Sequence, residues 1–112
     1  MPHIAIDASP ALIEGIDWRT TLVSLHRQLS DMGWANLSDL KSRVQPIAVE
    51  FSGDDSTALQ LIATLALTNP RPFEISQKMA ETVQAHPSSA IDRLPISAWV
   101  QCCVFLDEHP KR

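Results

Sequence analysis

Two features of the sequence could do chemistry, and the first is the N-terminal pair Met1-Pro2. Cells commonly remove an initiator methionine that precedes a small residue such as proline, and the product would carry a secondary amine. A free α-amino group titrates near about 7.7–8.0, closer to neutrality than a lysine. Desolvation and nearby cations would lower its pKa further, because both disfavour the charged form. Pro2 is therefore a candidate general base, although proline at position 2 more commonly reflects processing alone.

The second feature is a pair of arginines, Arg43 and Arg71. The pattern predicts both at element boundaries: Arg43 at the start of the second strand, and Arg71 between Pro70 and Pro72, before the second helix. Two guanidinium groups can hold a carboxylate by bidentate pairing and stabilise an enolate. This role requires both arginines to converge on Pro2. On sequence alone, two solvated arginines are the commoner case.

Other chemistry has little support in the residues. The sequence contains no glycine-rich phosphate loop, no nucleophile elbow and no metal-ligand spacing. The adjacent Cys102 and Cys103 are predicted to be reduced, partly buried thiols, because the side chains of neighbouring strand residues point to opposite faces. We therefore predict no metal and no cofactor.

The elements that must position these residues follow the order strand–helix–strand twice. In the first half, alternation predicts a strand over residues 2–8 and another over residues 44–51. Between them an apolar stripe predicts a helix that Asp17 caps and Gly33 ends.

The second half of the chain has the same order. Residues 52–56 are predicted to form a turn, and residues 58–67 a strand that is apolar on both faces. A helix is expected to begin near Pro72 and to end at Pro87. A last strand follows over residues 96–106.

These elements predict a single α/β domain over residues 1–112, with two helices on one face of a four-stranded sheet. The other face is also predicted to be apolar, through Ile62, Ala66, Trp99 and Phe105. An uncovered apolar face calls for a partner, so we expect an oligomer. A ferredoxin-like monomer or dimer has the same element order and is the rival architecture.

Composition limits the class of protein. The 112 residues suit one domain, and 45% hydrophobic residues exclude a disordered chain. The net charge is −4 and the basic residues are scattered, so no nucleic-acid partner is expected. No apolar run approaches the roughly 20 residues that span a bilayer. The N-terminus lacks the pattern of a signal peptide, which predicts a cytoplasmic protein without a membrane partner.

Three segments resemble the 5-carboxymethyl-2-hydroxymuconate Δ-isomerase family of the tautomerase superfamily. None of the three motifs is highly specific, but their combination, order and spacing match along nearly the whole chain. The segments are Met1-Pro2-His3-Ile4 with Asp7 and Ser9, Asp39-Leu40-Lys41-Ser42-Arg43-Val44, and Arg71-Pro72-Phe73-Glu74-Ile75-Ser76-Gln77. One departure is Asn69-Pro70 before Arg71, where a relative has a glycine-bearing turn.

The resemblance implies a homotrimer of tandem β-α-β units whose three sheets form a barrel-like core. It also implies a cofactor-independent isomerase of homoprotocatechuate breakdown that acts on an unsaturated 2-hydroxy tricarboxylate. Pro2 would be the base that moves a proton between carbons, and Arg43 and Arg71 would bind the substrate carboxylate or the dienolate. The site would lie between subunits.

Alternatives to this function remain open at this point. The same scaffold can host other reactions, such as keto–enol tautomerisation, decarboxylation or hydration. A non-catalytic trimeric homologue is a second class, and a ferredoxin-like regulatory domain that binds a small ligand is a third.

Overall fold

The computed structural model describes residues 2–69, 71–96 and 100–108. The elements in chain order are β1 (His3–Ala8), α1 (Pro10–Gly15), α2 (Trp18–Asp31), a 3₁₀ turn (Leu37–Asp39), β2 (Lys41–Pro46), β3 (Leu59–Leu67), α3 (Phe73–Asp92) and β4 (Val100–Glu108). The predicted order of strand, helix and strand is thus confirmed in both halves of the chain. No helix in these three ranges is long and apolar enough to cross a membrane.

The four strands form one mixed sheet in the order β2-β1-β3-β4. β1 is parallel to β2 and β3 is parallel to β4, whereas the central pair, β1 and β3, is antiparallel. Each β-α-β unit therefore contributes two adjacent parallel strands. A ferredoxin-like fold instead splits its β-α-β units, so the sheet topology excludes that rival architecture.

One face of the sheet is covered by α2 and α3, as the sequence predicts. The inward residues of β1 and β3 alternate with a period of two, and the helices meet them with residues spaced by four. The following members of this core are at most 1% exposed: Ile4, Ile6, Leu61, Leu65, Leu25, Leu29, Met79 and Val83. Each such side chain stabilises the fold by about 1.5–3 kcal/mol through burial.

In the described part of the chain, the opposite face carries no helix, and we call it the open face. Its β3–β4 half carries the predicted Ile62, Ala66 and Phe105, which alternate with polar residues, whereas its β1–β2 half is polar and charged, contrary to the prediction. The strand register sets the apolar half as Ile62, Ala66, Cys103 and Phe105, and the polar half as His3, Asp7, Lys41 and Arg43. Trp99, which we also expected on this face, lies outside the described residues.

The prediction for α2 is confirmed at both ends. The Asp17 side chain accepts a hydrogen bond from the backbone nitrogen of Thr20 at 3.2 Å. Gly33 follows the helix with a φ of 80°, the left-handed conformation that glycine adopts without strain. Both signals are local, so they are visible in the sequence.

The predicted second strand, residues 44–51, is wrong in its bounds, because β2 spans Lys41–Pro46. β1 ends at Ala8, which pairs with Pro46, so the following residues have no neighbouring strand. Val49 and Phe51 are consequently 76% and 56% exposed despite their apolar alternation. Arg43 lies inside the strand rather than at its start.

The predicted end of the second helix at Pro87 is also wrong, since α3 continues to Asp92. An internal proline removes a helix hydrogen bond and costs about 3 kcal/mol in an exposed helix. Here the Pro87 ring is fully buried, and its packing offsets this cost.

Two further bounds differ from the prediction. The last strand begins at Val100 rather than at Ile96, and residues 97–99 lie outside the described ranges. A short helix that was not predicted, α1, follows the first strand; it begins at Pro10 and buries Leu12. Proline suits the first turn of a helix because its missing N–H has no partner there.

Candidate active site

Pro2 is fully buried and lines a cavity of about 340 Å³, which we call the Pro2 cavity. Pro2 immediately precedes β1, so the cavity lies at the start of that strand. The backbone nitrogen of Lys41 donates a hydrogen bond to the Pro2 carbonyl oxygen at 3.2 Å, which ties Pro2 to the start of β2. The wall of the cavity consists of Pro2, Ser30, Gly33, Trp34, Ala35, Asn36, Asp39, Asn69 and Arg71.

Arg71 is half-buried and lines the same cavity. Its Nη1 donates to the carbonyl oxygen of Asn69 at 3.1 Å, and its Nη2 donates to the carbonyl oxygen of Trp34 at 3.3 Å. These bonds connect the segment after β3 with the segment after α2. Since a guanidinium has five N–H donors, those left over can receive an anion in the cavity.

The remaining polar residues of the Pro2 cavity were not predicted. Ser30 lies at the end of α2, and Asn36 and Asn69 lie in connecting segments. Asp39 ends the 3₁₀ turn and belongs to a segment that carries the family resemblance, but no pattern assigned it a role. Polar residues are ordinary in connections, so their types alone carried no signal of a cavity.

Arg43 does not line the Pro2 cavity. It is exposed on the polar half of the open face and lines a separate cavity of about 360 Å³ with His3, Ile4, Lys41 and Ser42, which we call the Arg43 cavity. Within one chain, the structure thus brings Pro2 and Arg71 together and leaves Arg43 apart.

The largest cavity described, about 770 Å³, is a groove on the outer side of α2 and α3. None of the predicted site residues lines it. His86 and Gln28 share a hydrogen bond of 2.6 Å there between Nε2 and Oε1, and burial lowers the pKa of His86. Arg93 lines the same groove and donates from Nε to the Ser89 carbonyl oxygen at 3.3 Å.

Histidines and cysteines take structural positions in the described chain. His26 Nε2 and Ser42 Oγ share a hydrogen bond of 2.9 Å between α2 and β2, and burial, aided by the charge of Lys41, lowers the pKa of His26. Cys102 and Cys103 are free thiols, half-buried as predicted, and burial raises the pKa of Cys102. Within the described ranges, no three potential ligands gather in a metal-binding group.

Comparisons with known proteins bear on the fold. Neither protein-family models nor curated protein sequences match the chain. A 5-carboxymethyl-2-hydroxymuconate isomerase from Deinococcus radiodurans R1 superposes with a TM-score of 0.81 and 14% identity, covering 96% of this chain and 81% of that one. Another structure, a 5-carboxymethyl-2-hydroxymuconate delta-isomerase, superposes with a TM-score of 0.77 and 15% identity, covering 96% and 82%.

A third solved structure, a fused 4-OT described as a symmetric trimer, has a TM-score of 0.64 and 17% identity, covering 97% of this chain and 85% of that one. At these identities the likeness establishes the architecture. The tautomerase fold that the resemblance implied is therefore confirmed.

Proposed function

We propose that this protein is a cofactor-independent isomerase or tautomerase in which Pro2, freed of Met1, is the general base. Its substrate class is an unsaturated 2-hydroxy or 2-oxo carboxylic acid, of which 5-carboxymethyl-2-hydroxymuconate is the member that the resemblance implies. The observation that carries the proposal is the meeting of buried Pro2 and half-buried Arg71 in one cavity. The two 5-carboxymethyl-2-hydroxymuconate isomerases that share the fold add support.

The environment of Pro2 suits a base that works near neutral pH. Its ring is fully buried, and a positive guanidinium lines the same cavity. Burial and the guanidinium both disfavour a charged amine and would lower the pKa of a free Pro2 amine, whereas the Asp39 carboxylate in the same cavity would act in the opposite direction. A base with a pKa near the working pH is neutral often enough to accept a proton and basic enough to take it.

The reaction needs no redox partner. The neutral Pro2 nitrogen takes an acidic proton from the substrate, and the electron pair left behind moves onto the conjugated oxygen as an enolate. Arg71 holds the carboxylate and stabilises this charge through its remaining N–H groups. The prolinium then returns a proton at a vinylogous carbon, which regenerates the base and completes the isomerisation.

Arg43 enters this scheme only through a second subunit, because it lies outside the Pro2 cavity of its own chain. We propose a homotrimer in which the open face packs against neighbouring copies and Arg43 completes a neighbour's site. The symmetric trimer of the 4-OT structure supports this assembly. The apolar half of the open face, where Phe105 is 59% exposed, offers the area to be buried.

The decisive test combines mass with turnover. We would measure the intact mass of protein made in its native host and assay the same sample with 2-hydroxypenta-2,4-dienoate and with 2-hydroxymuconate. We expect loss of Met1 together with isomerisation. A retained Met1 would turn the Pro2 nitrogen into an amide that cannot accept a proton. Turnover by such a sample would exclude Pro2 as the base, and a processed sample without turnover would favour a non-catalytic homologue.

A further inference from the structure

The ionisable side chains of the Pro2 cavity point to a narrower substrate class. Arg71 is the only arginine or lysine among its described lining residues, and Asp39 is the only carboxylate. On the chain's own wall, Arg71 is therefore the residue that attracts a substrate carboxylate, and Asp39 is the residue that repels one.

Asp39 is held firmly at this wall. Its backbone nitrogen donates to the Asn36 carbonyl oxygen at 2.9 Å, which closes the 3₁₀ turn. The next residue, Leu40, is 5% exposed and packs in the core. Lys41 then donates its backbone N–H to Pro2. Asp39 is thus two residues from a direct backbone contact with the proposed base, and its position cannot shift without disturbing that contact.

The Asp39 carboxylate is also not neutralised within the described chain. Arg71 donates from Nη1 and Nη2 to the carbonyl oxygens of Asn69 and Trp34 rather than to Asp39. Lys41 directs its Nζ to the Ser38 carbonyl oxygen at 3.2 Å. Among residues 2–69, 71–96 and 100–108, no ion pair engages this half-buried carboxylate. A partly buried charge is screened less than an exposed one, so it acts on whatever enters the cavity.

We propose that Asp39 makes the Pro2 cavity selective for substrates with a single carboxylate, and against di- and tricarboxylates. This inference rests on the proposed function and narrows it. Arg71 binds the carboxylate next to the 2-hydroxy or 2-oxo group, and Asp39 repels a second carboxylate at the far end of the conjugated chain. Monocarboxylate 2-oxo acids are therefore preferred over 5-carboxymethyl-2-hydroxymuconate, which carries three carboxylates.

The test compares two pairs of matched compounds. For binding, 2-oxohexanoate and 2-oxoadipate have the same six-carbon 2-oxo acid core and differ in one terminal carboxylate. For turnover, 2-hydroxypenta-2,4-dienoate and 2-hydroxymuconate differ in the same way. We expect the wild-type protein to bind and convert the monocarboxylate of each pair better, by calorimetry and by absorbance.

The Asp39→Asn variant removes the charge and keeps the size of the side chain. We expect the affinity for 2-oxoadipate to rise about fivefold, the effect of removing one like charge that water largely screens, while the affinity for 2-oxohexanoate changes less than twofold. Asp92→Asn is the matched control, since Asp92 is exposed at the end of α3 and does not line the cavity. It should leave the ratio of the two affinities unchanged.

The outcomes separate this inference from the proposed function. Selective binding without turnover would overturn the catalytic role of Pro2 and leave the role of Asp39 intact. Turnover with an unchanged ratio in Asp39→Asn would overturn the role of Asp39 alone. If the variant fails to fold, the preference of the wild-type protein decides. The inference is overturned if the wild-type protein binds 2-oxoadipate as tightly as 2-oxohexanoate or more tightly. It is also overturned if the wild-type protein binds neither acid.

Discussion

The Pro2 cavity and the Arg43 cavity are similar in volume, about 340 and 360 Å³, but they differ in how many elements of the chain form their walls. The Pro2 cavity draws its wall from α2, the 3₁₀ turn and the segments before and after the strands. The Arg43 cavity is lined only by β1 and β2, and its arginine is exposed. The comparison teaches that one chain buries Pro2 within its own fold but leaves Arg43 exposed on its sheet, where only a second copy could enclose it.

The largest expected effect comes from replacing the base. Pro2→Ala should lower kcat/KM by about 10²–10⁴-fold, the usual contribution of a positioned general base. The oligomer should stay intact, because Pro2 lies in the Pro2 cavity and not on the open face. Steady-state kinetics and size-exclusion chromatography with light scattering check both parts. Full activity in a correctly assembled variant would remove Pro2 from the mechanism.

The next effect concerns the cation of the Pro2 cavity. Arg71→Ala should weaken binding of a carboxylate substrate by about 10–100-fold, since hydrogen bonds to charged groups are worth about 1.5–3 kcal/mol. A neutral ester of the same substrate should lose much less. Arg93→Ala is the matched control, because Arg93 lies in the groove on α2 and α3. Equal losses for the acid and the ester would contradict carboxylate binding by Arg71.

Arg43→Ala tests the other cavity, with an expected loss of about tenfold for carboxylate substrates. The sharper experiment mixes subunits. If Arg43 serves a neighbour, co-expressed Arg43→Ala and Pro2→Ala chains should form trimers in which about a quarter of the sites have both residues intact. Activity well above that of either variant is expected. A mixture no more active than its better parent would mean that Arg43 acts within its own chain or not at all.

The smallest effect is on stability, at the contact between His26 of α2 and Ser42 of β2. The pKa of His26 is lowered in the folded state, chiefly by burial. The folded protein therefore resists protonation of His26, and stability falls as pH decreases from the ordinary value of about 6.5 through the lower folded pKa. Urea unfolding at pH 7.5 and pH 5.0 should show a smaller loss in His26→Gln than in the wild type. An equal loss in both proteins would assign the pH dependence to other groups.

Parts of the fold that depend on neighbours along the chain were predictable. The Asp17 cap and the Gly33 stop set α2 at the expected residues. The alternation from Leu59 to Leu67 set β3, where inward residues are buried and outward ones are half-buried. Pairing decided what alternation could not: β2 stops at Pro46 because β1 stops at Ala8, although apolar alternation continues to Phe51.

For the candidate site too, some features were predictable from single residues and others depended on strand pairing. Residue types alone marked Pro2, Arg43 and Arg71, since an N-terminal amine and guanidinium groups have known chemistry wherever they lie. Their convergence did not follow from spacing. Arg71 reaches Pro2 because β3 returns antiparallel to β1, which brings the segment after β3 to the start of β1. Arg43 is turned to the open face because it pairs with Ala5.

The sequence by itself determined the element order, the α/β class and the chemical candidates, because helix caps, strand alternation and side-chain chemistry are properties of single residues and their close neighbours. Only the tertiary structure decided the strand order, the split between polar and apolar halves of the open face, and the presence of Asp39 beside Pro2 and Arg71. These depend on contacts between residues distant in the chain, and such contacts are set by packing and register rather than by local pattern.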